Sequence, residues 1–242
     1  MKEKYNILIA VIISAAIVVS SAFISNGIKN IKSGKNTITI TGSAKKQIKS
    51  DLAKWTGAFS AYSPSLNEAY AMLKENNEKV RKYLLSKGIA EKDLVFSSIF
   101  TSVKNEILPN GMIGNKIEGY TLTQNVEIKL NDVDLVTKIS RESTELINQG
   151  VQFESYPPQY YYTKIADLKV EMLGLATKDA MLRAEQIAKN TNVKVGKLRA
   201  SRMGVFQITP PYSTEVSDAG IFDTSSIDKE ITAVVNCEFD ID

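Results

Sequence analysis

The chain has 242 residues, 43% apolar and 24% charged, an ordinary globular composition that excludes the disordered and collagen-like classes. With no histidine and one cysteine, Cys237, it has no imidazole-activated nucleophile, no His-containing zinc site and no internal disulfide. The formal charge of +3 comes from residues 1–35, where five lysines meet one glutamate. The rest of the chain balances 25 basic against 26 acidic groups, with no basic run of the kind a nucleic-acid binder needs.

The first feature in chain order is residues 7–24, ILIAVIISAAIVVSSAFI, which carry no charge. As a helix they would reach about 27 Å, close to a hydrocarbon core of roughly 30 Å. A cleaved signal peptide has a shorter apolar stretch, of about 7–15 residues, before a small-residue cut such as Ser20 and Ala22 would supply. The length favours an uncleaved single-pass anchor, with Ile7, Leu8, Val11, Ile12, Ile17, Val18 and Val19 in lipid. Lysines flank it on both sides, so charge alone does not orient it. The expected organisation is an anchor or signal segment at 1–25, a polar tether at 26–36 and one domain over 37–242.

Strands are expected at 36–42 and 52–62. In the second, Ala53, Trp55, Gly57, Phe59 and Ala61 alternate with a more polar set, as on a half-buried strand. Ser65 and Glu68 form an S-x-x-E capping pattern before a helix with Leu66, Ala69, Leu73, Asn77, Val80 and Leu84 on one stripe. Gly88 closes it. A strand follows at 94–103, then a turn-rich loop through Pro109, Asn110, Gly111 and Gly114. A second clear alternation, YTLTQNVEIKL at 120–130, turns Tyr120, Leu122, Val126, Ile128 and Leu130 one way. Asn131 is the expected cap of a helix over 132–148 with Val136, Ile139 and Leu146 inside, ended by Gly150.

Strand pieces are expected at 151–156 and 159–162, separated by Pro157 and Pro158, which lack the ladder N–H and belong at an edge or bulge. The helix over 164–190 carries Ala176, Ala180, Ala184 and Ala188 every four residues, a flat stripe for close packing, with Leu168, Met172 and Leu175 extending its apolar face. Strands at 197–208 and 230–241 flank a polar loop. Ala233, Val235, Cys237, Phe239 and Ile241 share the inward face of the last one. The pattern implies an α+β fold, with antiparallel sheets covered on one face by helices in two β-α-β-like portions.

Candidate chemistry is sparse. Ser43-Ala44-Lys45-Lys46 matches S-x-x-K, but the K-T-G partner is absent and Ser217-Asp218 is followed by Ala219, so a solvated turn is expected there. Cys237 reads as a small core residue. Asp223-Thr224-Ser225-Ser226 lacks calcium-loop spacing and reads as a turn. Tyr160, Tyr161 and Tyr162 are either an aromatic binding or assembly surface, as tyrosine is enriched at interfaces, or edge-strand packing. No catalytic, metal or cofactor residue is assigned.

Several stretches together resemble the SIMPL-domain family, which includes bacterial periplasmic and outer-membrane immunogenic proteins. They are ITITGSAKKQIKSDLAKW (38–55), SKGIAEKDLVFSSI (86–99), EGYTLTQNVEIKLNDVD (118–134), ATKDAMLRAEQIAKNTNVKVGKL (176–198) and ITAVVNCEFDI (231–241). Asn192 stands where the family commonly has glycine. The resemblance implies an α+β fold, a cell-envelope address and, in some members, ring-like or channel-like oligomers. It supplies no catalytic residues. The expected function is a non-enzymatic, self-assembling protein in the cell membrane with an envelope or stress-related role, its C-terminal domain outside the cytoplasm and no nucleic-acid partner. The alternatives are a small-molecule or peptide-binding module lined by the tyrosines after Pro158, its ligand unspecified, and a histidine-independent hydrolase.

Overall fold

The computed structural model of the protein describes residues 13–21, 23–25, 36–109 and 111–242. They form an α+β fold in two compact units. The larger holds Ala44–Leu175 and Gly204–Val234; the smaller ends its first segment at Ser43 and takes up Ala176–Met203 and Val235–Asp242.

In the larger unit, β2 (Leu52–Ser63) runs through the middle of a six-stranded sheet. On one side it pairs antiparallel with β5 (Ile113–Leu130), Trp55 opposite Ile128 and Ala61 opposite Leu122. On the other it pairs with two short pieces, β6 (Gln152–Ser155) and β7 (Gln159–Tyr161), divided by Pro157 and Pro158 at the sheet edge. The free edge of β5 takes β3 (Leu94–Phe96) and β4 (Phe100–Ile107).

The alternating side chains of β2 and β5 make the core. Ala53, Trp55, Phe59 and Ala61 meet Leu122, Val126 and Ile128 beneath two helices, α1 (Leu66–Ser86) and α2 (Val133–Glu142). A Cβ on Gly57 would stand 2.4 Å from the Phe153 ring and 2.9 Å from Trp55, so only glycine lets these two rings pack 6.1 Å apart. The stripe of α1 is Ala69, Leu73, Asn76, Val80 and Leu84; Asn76, rather than Asn77, is buried and donates to the Ser60 carbonyl at 3.1 Å. Leu66 is exposed.

The helix ends differ from the sequence reading in their partners. Ser65 occupies the N-cap of α1 without a side-chain cap; Ser63 instead donates to Glu68 at 2.7 Å and accepts from the Ser65 N–H at 3.1 Å. Asp132, not Asn131, caps α2 by accepting from Leu135 N–H at 2.9 Å, because Asn131 is drawn away to the Asp51 carbonyl. Beyond Glu142 the chain tightens into a 3-10 segment, Ser143–Gln149, that ends at Gly150 with φ 79°. The strand expected over 94–103 is two pieces, and β5 starts seven residues earlier than its alternation suggested.

In the smaller unit, the second half of α3 (Ile165–Thr191) lies on strand β1 (Thr37–Lys49). A Cβ on Gly42 would stand 2.2 Å from the Ala176 carbonyl and 2.5 Å from Ala180 N, so glycine on the strand and alanine on the helix together permit the approach. Ala176, Ala180, Ala184 and Ala188 are all buried, whereas Leu175 is exposed. Asn192, just beyond α3, takes φ 56°, the left-handed conformation that asparagine tolerates next best after glycine. Strand β8 (Val195–Met203) pairs antiparallel with the end of β11 (Asp228–Ile241), Cys237 opposite Ser201. Within the larger unit, the start of β11 pairs with β9 (Gln207–Thr209), which lies parallel to β10 (Ile221–Phe222).

Of the expected anchor, Ile7, Leu8, Val11 and Ile12 lie outside the described residues, while Ile17, Val18 and Val19 are helical and exposed. Among the described residues no helix is long and apolar enough to cross a membrane.

Candidate functional site

Two features of the larger unit are open to partners: an arm and a cavity. The arm is β4 with the first half of β5. Near its tip the Leu108 N–H donates to the Met112 carbonyl at 2.8 Å, and Gly111 takes φ 80°. Val103 lies opposite Tyr120, and near the tip Ile107 faces Ile113. Lys104 pairs with Glu118 at 3.6 Å and sits over the Tyr62 ring. Phe100, Ile107 and Ile113 are 70%, 71% and 75% exposed, and Val103, Met112 and Ile117 are also exposed. Among the described residues, β4 has no strand neighbour besides β5. Its far edge therefore presents backbone donors and acceptors beside apolar side chains, a template for strand pairing. Around the turn-rich loop expected through Pro109, Asn110, Gly111 and Gly114, the chain is strand up to Ile107 and again from Ile113. Asn110-Gly111 between alternating apolar residues is the signal that would have located this hairpin.

The cavity, about 510 Å³, lies where β2, β5 and β6 meet the end of the 3-10 segment. Pairing register places Ala58 opposite Glu154, and Ser60 between Thr123 and Gln152, all on the sheet face turned away from Trp55. Ser60 donates to the Gln152 side-chain carbonyl at 3.1 Å, leaving the amide N–H₂ of Gln152 available. Ile147, from the 3-10 segment, adds an apolar wall. Tyr156 donates to the Glu154 carboxylate at 3.2 Å. The Glu154 charge, helped by burial, raises the Tyr156 phenol above its ordinary value, so it stays a donor.

Of the two readings of the three tyrosines, a shared surface or edge-strand packing, Tyr160 takes the second. Tyr160 is 6% exposed, since β7 pairs with β2 opposite Ala53 and turns this ring into the core, where its hydroxyl is 2.9 Å from Thr137 Oγ1. It is a packing residue. Tyr161 and Tyr162 are half-buried, and Tyr161 donates to Gln159 at 3.0 Å. The tyrosine at the cavity is Tyr156, before the prolines.

The S-x-x-K residues lie on β1 rather than in a turn. Side chains three apart leave a strand on opposite faces, so Ser43 and Lys46 do not form a nucleophile pair. Ser43 N–H donates to Asp179 at 2.8 Å, and Lys46 pairs with Glu171 at 2.7 Å. Cys237 is fully buried between Val235 and Phe239, its sulfur 3.8 Å from Ser201 Oγ. Among the described residues no group of three or more His, Cys, Asp or Glu side chains is placed to hold a metal.

Asp223 does organise a turn. Its carboxylate accepts from Ser225 N–H at 2.9 Å, Ser225 Oγ at 2.7 Å and both donors of Ser226. Lys229, 2% exposed, reaches the same carboxylate at 3.0 Å and the Asp223 carbonyl at 2.7 Å. Burial pushes the Asp223 carboxyl up, but the hydrogen bonds from Ser226, Ser225 and Lys229 together outweigh it and hold the group well below the usual carboxylate range. A cation already occupies this acidic loop, and that cation is a lysine. Sequence spacing alone did not show that Lys229 would be buried.

A family model described as SIMPL, protein of unknown function (DUF541), matches residues 38–239. The chain belongs to the SIMPL family. The match runs from the second residue of β1 to Phe239 in β11, and so includes the arm, the cavity and the Asp223 turn. No curated protein matches the chain.

Proposed function

We propose that this SIMPL protein is a membrane-tethered, extracytoplasmic, non-enzymatic protein that assembles with copies of itself through the β4–β5 arm. The observation that carries this reading is the arm, an apolar two-stranded ribbon with one edge unpaired. A lone hairpin is at best marginally stable in water, and an exposed apolar edge invites pairing. A second copy meets both needs, since the arm of one chain supplies a matching strand edge to another. The apolar run at 7–24 supports the tether, and confining copies to one membrane raises their effective concentration.

The test is the mass of the full chain in detergent by light scattering, for the wild type and for Ile107→Lys with Ile113→Lys. The expected result is an oligomer that falls to the monomer in the double variant while the chain stays folded, with Tm lowered only by the loss of assembly. A monomeric wild type at high concentration, or an unchanged oligomer in the variant, overturns the arm as the interface. Intact mass of the membrane fraction tests the tether, because a mature N-terminus at or near Phe23 would mean a cleaved signal peptide.

The cavity favours a second reading, in which the domain binds a small molecule. Its volume falls within the few-hundred to roughly 1,000 Å³ range of small-molecule sites. Its tyrosine is Tyr156 instead of those after Pro158.

A further inference from the structure

We infer that the cavity beside β6 takes a small organic cation, an amine or guanidinium carried on an apolar body. The inference rests on the cavity being a binding site and is independent of the arm. The lining holds one formal charge, Glu154, which has no ion-pair partner among the described residues. Its polar contact there is the Tyr156 hydroxyl, a neutral donor that leaves the negative charge in place. Glu154 is exposed at the rim of the cavity, where its charge favours a positive occupant and disfavours a negative one. Tyr156 adds a second attraction, since a cation near an aromatic face gains from the ring quadrupole.

The remaining lining suits the body of such a molecule. Ile147 and Ala58 provide apolar contact for a ring or short alkyl chain. The Gln152 amide, held at its carbonyl by Ser60, presents a directed donor to a neutral oxygen on the ligand. Thr123 offers a hydroxyl from β5. Charge and aromatic face come from one stretch, Glu154 and Tyr156, and the apolar wall from β2 and the 3-10 segment, so the cation would be held at one end and its body along the sheet face.

Isothermal titration of the full chain in lipid nanodiscs, with empty nanodiscs subtracted, tests this with phenethylamine and its neutral counterpart 2-phenylethanol. Phenethylamine is expected to bind at least tenfold more tightly. Glu154→Gln should lower its affinity to that of the alcohol while leaving Tm unchanged, and Ile147→Ser should weaken both probes alike. If both probes bind equally to the wild type, the cavity is a site without cation preference, and the inference is overturned while the binding reading stands. If neither binds, both are overturned.

Discussion

Strand β5 is one continuous element with two different halves. From Tyr120 to Leu130 it is flanked by β2 on one edge and β3 and β4 on the other, and its apolar residues Leu122, Val126 and Ile128 are buried under helices. From Ile113 to Gly119 it pairs with β4 alone, and Ile113 and Ile117 stand in the open. The same residue types and the same backbone yield core in one half and exposed surface in the other. What differs is whether a helix covers the strand. A β-ribbon without a covering layer has nothing to bury its apolar residues against, so the arm holds its shape through ladder hydrogen bonds and leaves its side chains to a partner.

The comparison breaks most sharply at Trp55. Trp55→Ala should destabilise the larger unit by about 3–5 kcal/mol in urea unfolding, as expected for a large aromatic lost from a close-packed core. A cost below about 1 kcal/mol would mean that the helix-covered half is no better packed than the arm.

Next in size is Asp223→Ala, expected to cost about 3–5 kcal/mol because it strips a buried Lys229 of its carboxylate. The pH dependence follows from the lowered folded-state pKa of Asp223. Its contribution is complete above the unfolded carboxylate value of about 3.9, and declines as pH falls from there toward the folded value. Urea midpoints measured from pH 6 downward should therefore fall more steeply for the wild type than for Asp223→Ala. Parallel curves would show that the turn contributes no acid-labile stability.

The smaller unit sharpens the same contrast through packing that is too tight instead of too loose. Ala184 is completely buried on α3, so Ala184→Leu should overpack the helix and cost about 1–3 kcal/mol. A neutral result by thermal unfolding would mean that the alanine stripe has room to spare.

The smallest effect on stability is expected on the arm. Ile107→Ser with Ile113→Ser should change folding stability by no more than about 0.5 kcal/mol for each residue, as for exposed positions generally. The sedimentation coefficient of the full chain should fall nonetheless. Loss of stability with retained oligomer mass would reverse the assignment and make the arm part of the fold.

How much of this was legible in the sequence varied with distance along the chain. The inward faces of β2, β5 and β11, the alanine stripe of α3, the Pro157-Pro158 edge and the Asp223 turn all follow from local rules: period two in strands, small residues where backbones approach, and side-chain acceptors in turns. The SIMPL family was legible too, through the order of several short stretches. The caps were not, because Ser63 and Asp132 win their roles by where β2 and β5 end, while Asn131 finds a better partner in the Asp51 carbonyl. Tyr160 was ambiguous among three consecutive tyrosines until pairing with β2 turned it inward. Lys229 and Glu154 show the limit most plainly. A lysine and a glutamate look alike in sequence wherever they occur, and what each does is set by the charge facing it. For Lys229 that charge is the Asp223 carboxylate, brought close by a turn; for Glu154 the tertiary structure brings a cavity wall and, among the described residues, no cation.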